Sequence, residues 1–129
     1  MTIQHVAIWV ADLEKMKEFY VRHFGAAAGP RYDNTGTGFS SYFLEMGSGP
    51  KLELMRMDAI PADGSDPETQ RTGFIHIAVS VGSDKDVDRK TEELRAAGYR
   101  ILSEPRWTGD GYYESCVFDP ENNRIEITI

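Results

Sequence analysis

The chain has 129 residues, 27% of them charged, and a formal net charge of −7. That length suits one compact domain with a real core, and the acidity argues against nucleic acid or an anionic membrane as partner, since both recruit basic patches. One cysteine, Cys116, excludes an internal disulfide and fits a reducing compartment; no apolar run nears the ~20 residues that cross a bilayer, and Ile3 already stands in a strand pattern, so a cytoplasmic protein is expected.

Ile3 to Val10 alternates as a strand should, with Val6, Ile8 and Val10 on one face and His5, Ala7 and Trp9 on the other. Asp12 is an N-cap for a helix that begins at Leu13, carries Leu13, Met16, Phe19, Tyr20 and Phe24 on one stripe, and stops at Gly25. His23, in its last turn, is expected at the surface as a cation suited to the helix dipole, not as a ligand. Ala26 to Tyr32 reads as a weak strand, Asp33 to Gly36 as a turn, Phe39 to Met46 as a strand, Gly47 to Pro50 as a turn and Lys51 to Met57 as a strand. The stretch 59–72, with Pro61, Gly64 and Pro67 and little periodicity, is a linker or a functional loop.

The order then repeats. Phe74 to Val81 is a strand with Ile75, Ile77, Val79 and Val81 on one face and Phe74, His76, Ala78 and Ser80 on the other. Ser83 to Asp86 resembles a capping box, and the helix it opens runs to about Ala97 with Val87, Thr91 and Leu94 on one side. Tyr99 to Ser103 is predicted as a strand, Pro105 to Gly111 as a loop, Tyr112 to Phe118 as a strand, Asp119 to Asn123 as a turn and Arg124 to Ile129 as the last strand. Strand, helix and three strands, twice over, make an α+β chain of two βαβββ modules, about 1–58 and 73–129.

The last strand of each module completes a pattern. Glu53 shares a face with Met55 and Met57, and Glu126 shares one with Arg124 and Thr128, in each case opposite the aliphatic residues that the amphipathic helices must cover. His5 with Glu53 and His76 with Glu126 therefore occupy matching places in the two modules. Two imidazoles and two carboxylates meeting in one cleft would bind one divalent ion, and Zn, Ni, Co and Mn all accept such donors. Without a metal, four such groups would be costly to desolvate. Glu114, on a face with Tyr112 and Cys116, is a candidate outer group of the site; Cys116 is expected as a small buried residue.

The segments HVAIWVADLEKMKEFYVRHFG, FIHIAVSV and VFDPENNRIEI, in this duplicated frame, resemble the vicinal oxygen chelate superfamily, which includes glyoxalase I, methylmalonyl-CoA epimerase, extradiol dioxygenases and antibiotic-resistance proteins. The resemblance spans essentially the whole chain. It implies a curled mixed β-sheet around a metal cleft with the helices outside, a homodimer, and a small-molecule substrate. The set His5, Glu53, His76, Glu126 is similar to that of glyoxalase I, which implies a lyase or isomerase acting on a small α-oxo or α-hydroxy carbonyl, with Glu126 as the first candidate base and Glu53 as the second. Two departures stand out. Where bacterial glyoxalase I has an arginine after its first histidine ligand this chain has Trp9, and where it has an asparagine this chain has Met57. A cup lined by Trp9, Met55, Met57 and Phe74, with Trp107 closing over it, suits a more apolar substrate than a glutathione adduct. The alternatives are a metal-free binding or drug-sequestering protein of the same fold, and a metal-dependent epimerase or dioxygenase.

Overall fold

The structure, a computed structural model, describes residues 1–129. The elements run β1 (His5–Trp9), α1 (Leu13–Phe24), β2 (Ala27–Ala28), β3 (Tyr32–Asn34), β4 (Phe39–Glu45), β5 (Lys51–Arg56), β6 (His76–Ser80), α2 (Asp84–Ala96), β7 (Ile101–Trp107), β8 (Tyr113–Phe118) and β9 (Arg124–Thr128). The chain divides into two compact units, Met1–Gly64 and Ser65–Ile129. Each is an α+β layer of one helix on one mixed sheet. No helix is long and apolar enough to cross a membrane.

In the first unit β1 pairs parallel to β5, β5 antiparallel to β4, and β4 antiparallel to both β2 and β3. Leucines at alternate positions of β5, Leu52 and Leu54, point to α1 with Val10, Tyr42 and Leu44, and meet Leu13, Met16, Phe19 and Tyr20 of its apolar stripe; all are buried. Asp12 caps α1 as its carboxylate accepts the Lys15 N–H at 3.0 Å, and Gly25 takes the left-handed conformation (φ 65°) that ends the helix.

The second unit repeats the plan: β6 parallel to β9, β9 antiparallel to β8, β8 antiparallel to β7. Val87, Thr91 and Leu94 of α2 lie over Ser115, Val117, Ile125 and Ile127, all buried. Ser83 caps α2: its Oγ accepts the Asp86 N–H at 3.2 Å and donates to the Asp86 carboxylate at 2.6 Å. The aspartate thus meets the serine hydroxyl, where a full capping box has a longer Glu or Gln bonded to the cap's own N–H.

Three expectations are corrected. The weak strand expected from Ala26 to Tyr32 is two short strands, β2 and β3, and β3 takes in Asp33 and Asn34 because pairing with Phe39–Ser41 extends it. The loop expected from Pro105 begins later, since β7 runs on to Trp107. Proline lacks an N–H but is tolerated on an edge strand, and β7 is one, with its register to β8 shifted on either side of Ser103. His23 is buried, 6% exposed, with its ring 5.4 Å from that of Phe19. It stands one turn after Phe19 and Tyr20, on the buried stripe, so position outweighs its polarity.

Candidate functional site

Strand alternation leaves one face of each sheet away from its helix. In the first unit that face carries His5 and Trp9 from β1, Glu53 and Met55 from β5, and Phe39, Ser41 and Phe43 from β4. In the second it carries His76, Ala78 and Ser80 from β6, Arg124, Glu126 and Thr128 from β9, and Glu114, Cys116 and Phe118 from β8. The registers match. Glu53 stands opposite Ala7 and Phe43, and Glu126 opposite Ala78 and Cys116.

Each face brings one histidine to one glutamate. His5 Nε2 lies 3.5 Å from Glu53 Oε2, and His76 Nε2 lies 3.5 Å from Glu126 Oε2. The imidazoles are 40% exposed, and the carboxylates 13% and 21%. Two ligand atoms each about 2.1 Å from one cation stand roughly 3.0 Å apart at a right angle and roughly 3.4 Å apart at the tetrahedral angle, so each pair has the spacing of two neighbouring metal ligands. The four predicted ligands are thus gathered as two pairs; no group of three or more histidine, cysteine or carboxylate side chains forms a metal cluster.

The side-chain amide of Gln4 is hydrogen-bonded to His5 Nδ1, which leaves Nε2 toward Glu53. Thr128 Oγ1 lies buried on the open face of β9 without a hydrogen-bond partner. Such an orphan hydroxyl costs about 1–3 kcal/mol unless a water or ligand meets it. Donor chemistry and spacing both fit a divalent ion.

The surroundings of the two pairs differ. Beside His5–Glu53 the surface is aromatic: the Phe43 ring meets His5 edge-on at 5.4 Å, and Phe39 lies 6.0 Å from Trp9 and 6.1 Å from Tyr32. Beside His76–Glu126 it is acidic. Burial, then the charge of Glu126, hold the Glu114 carboxyl above the usual carboxylate range. Arg106 Nη2 lies 3.6 Å from Glu114 and counters this in part. Cys116, opposite Glu126 in the register, has its thiol pushed up to about 11 by burial.

Of the predicted pocket residues, Trp9 is 42% exposed on the face of His5, Met55 is opposite it in the register, and Met57 follows β5, half-buried. Phe74 is almost fully exposed just before β6. Trp107 ends β7, exposed, with its ring 5.2 Å from Tyr113, and so stands in a strand rather than in the expected loop. A depression lined by Ala11, Asp12, Leu13, Glu14, Arg31 and Arg56 contains none of these residues. Gln4, Phe39, Phe43 and the buried Arg124 were not among the expected site residues. The signal for Phe39 and Phe43 is present as alternation in β4, but Tyr42 and Leu44 make its other face equally apolar, so the pattern does not choose between faces.

Among curated proteins, the chain is 27% identical to the uncharacterized protein YqjT of Bacillus subtilis (strain 168), covering 97% of this chain and 96% of that protein. It is 30% identical to mitochondrial methylmalonyl-CoA epimerase of Bos taurus over 79% of this chain, which spans 57% of that protein. Among solved structures, a glyoxylase/bleomycin resistance protein/dioxygenase domain from Frankia superposes with a TM-score of 0.82 at 22% identity, over 100% of this chain and 97% of that one. A glyoxalase I variant from Zea mays gives 0.79 at 24% identity, over 98% of this chain and 44% of that one. The fosfomycin resistance protein FosX of Listeria monocytogenes, complexed with Mn(II), gives 0.70 at 22% identity, over 98% and 89%. At these identities the structures establish the fold alone. The family model of the Glyoxalase/Bleomycin resistance protein/Dioxygenase superfamily matches residues 2–127, and the chain belongs to that superfamily.

Proposed function

We propose that the protein is a metal-dependent lyase or isomerase of the glyoxalase I type, acting on a small α-oxo or α-hydroxy carbonyl compound. The observation that carries the reading is the repeated His–Glu pair, 3.5 Å apart, on the open face of both units. His5, Glu53, His76 and Glu126 would hold one divalent ion among Zn, Ni, Co and Mn. When bound, such an ion would supply Lewis-acid polarisation of the substrate. Glu126 takes the proton from the substrate carbon next to the carbonyl and returns it to the neighbouring carbon; Glu53 is the second candidate for this role. Trp9, Met55, Met57 and Phe74 would line an apolar cup for the substrate, with Trp107 closing over it. In this reading the protein is a cytoplasmic homodimer.

Metal analysis after purification, with chelation and reloading, tests the proposal: about one divalent ion per site is expected, and failure of every ion to bind would overturn it. Methylglyoxal with a panel of thiols then tests the reaction. A second reading, a metal-free protein that binds an aromatic ligand, draws on the Trp9–Phe39–Tyr32 cluster. It predicts quenching of tryptophan fluorescence by an aromatic ligand that chelators leave unchanged.

A further inference from the structure

The segment that joins the two modules carries more structure than a linker needs. Asp66 turns it back on itself: its carboxylate accepts the Glu68 N–H at 3.0 Å and the Thr69 hydroxyl at 3.1 Å, and its carbonyl accepts the Thr69 N–H at 3.1 Å. The turn lies in the second unit, which begins at Ser65, and is fastened there at two points. Arg124 Nε and Nη2 donate to the Pro67 carbonyl at 3.0 Å and 2.7 Å, and Nη2 also donates to that of Thr69 at 3.3 Å. Arg100 Nη1 stands 3.2 Å from Glu68 Oε1, and its guanidinium lies over the Phe118 ring, 4.3 Å from the centroid.

Arg124 stands opposite His76 on one side and Phe118 on the other, on the sheet face turned away from α2. Both Arg124 and Phe118 are buried, although no helix covers that face. In the first unit Lys51, opposite His5, holds the matching place; it is 40% exposed and pairs with Glu45 at 2.6 Å. Lysine is a flexible point charge, whereas a guanidinium is a planar fork that holds several oxygens at once. A buried guanidinium also needs its N–H groups met, so the turn and the arginine stabilise each other.

We propose that residues 66–69 are a strap, fastened by Arg124 as a positioning residue, which walls the His76 end of the open face. A substrate then reaches the His76–Glu126 pair from the opposite end of the strands, where Ser80 pairs with Thr128. That consequence rests on the metal-site reading and deepens it; the strap itself does not need a metal.

The test uses the full chain without added metal and reads two rates. Trypsin cleavage after the exposed Arg71 reports release of the strap, and carbethoxylation by diethyl pyrocarbonate, followed residue by residue by mass spectrometry, reports access to His76 and His5. Arg124→Gln should speed the cleavage about ten-fold or more, because the segment opens locally once its charge-assisted hydrogen bonds are lost. The His76 ring is already 40% exposed, so its modification should rise only about two-fold, with that of His5 unchanged. Arg124→Lys, which keeps the charge without the fork, should fall between wild type and Arg124→Gln, and Lys51→Gln at the matching place should change neither rate. The double variant Pro67→Gly with Glu68→Gln leaves Arg124 in place and loosens the strap from its own side; it should move both rates in the same direction, and it decides the matter if Arg124→Gln fails to fold by circular dichroism. Unchanged cleavage in a folded variant, cleavage that rises without His76 modification, or equal rises at His5 and His76 would each overturn the proposal. If wild type binds no divalent ion and the two rates still behave as expected, the metal reading falls and the strap stands. If the ion binds and the rates do not move, the strap falls and the metal reading stands.

Discussion

His76 Nε2 stands 3.5 Å from Glu126 Oε2, and His5 Nε2 keeps the same distance from Glu53 Oε2. In each unit a parallel strand pair makes this contact, because the glutamate stands opposite the residue two places after the histidine. The proposed one-ion reading has both pairs contribute to one affinity. His5→Ala and His76→Ala should each weaken divalent-ion binding by at least about ten-fold, measured by calorimetry. Loss of affinity in one variant only would assign the ion to a single pair.

Glu14 is the centre of a surface network that ties α1 to β3 and β4. It accepts from Lys17 Nζ at 2.6 Å, from Tyr42 Oη at 2.9 Å and from Arg31 Nη1 at 2.9 Å. The Lys17 hydrogen bond first, then that of Tyr42, lower its carboxyl to about 2. Its ordinary value is about 4.3, so its contribution to stability is present above that pH and is lost as pH falls toward 2. Glu14→Gln should lower the urea midpoint at pH 7, and the gap to wild type should close between about pH 4 and pH 2. The carboxylate is largely exposed, so the gap should be small and should shrink with added salt.

Thr91 and Ser115 form a buried polar contact under α2. Thr91 Oγ1 donates to the Val87 carbonyl at 2.7 Å and lies 2.7 Å from Ser115 Oγ. Ser115→Ala leaves Thr91 with its carbonyl partner and should cost about 1 kcal/mol in urea unfolding. Thr91→Val strands the Ser115 hydroxyl in an apolar layer and should cost more, about 1–3 kcal/mol. The double variant should be less destabilised than the sum of the two, because it leaves no orphan hydroxyl.

Cys116 is the only cysteine, and burial pushes its thiol up to about 11. Thiolate is the reactive form, so labelling by a disulfide reagent should be slow at pH 8 and should rise about ten-fold per pH unit toward pH 11. Fast labelling at pH 8 by a thiol of ordinary acidity would show that the open face of β8 is more accessible than its burial indicates.

Much of this protein is decided by local pattern. Strand residues alternate faces with a period of two, so His5 and Trp9, or His76 and Ser80, must part from the aliphatic residues between them wherever the strand sits. The same holds for Asp12 and Gly25, whose capping needs only neighbouring backbone, and for the repeat that places a His and a Glu alike in both modules. Tertiary structure decided what pairing and burial create. Which side chain stands across from Glu53 or Glu126 depends on register, and a slip of one residue would exchange the faces. Register is what puts Phe43 across from Glu53 and Cys116 across from Glu126. Pairing with β8 carried β7 through Pro105 to Trp107. Arg124, a charged residue at the head of a strand, is buried because its guanidinium donates to the Pro67 carbonyl at 2.7 Å and 3.0 Å and to that of Thr69 at 3.3 Å. Those partners are more than fifty positions away along the chain, beyond the reach of any local periodicity.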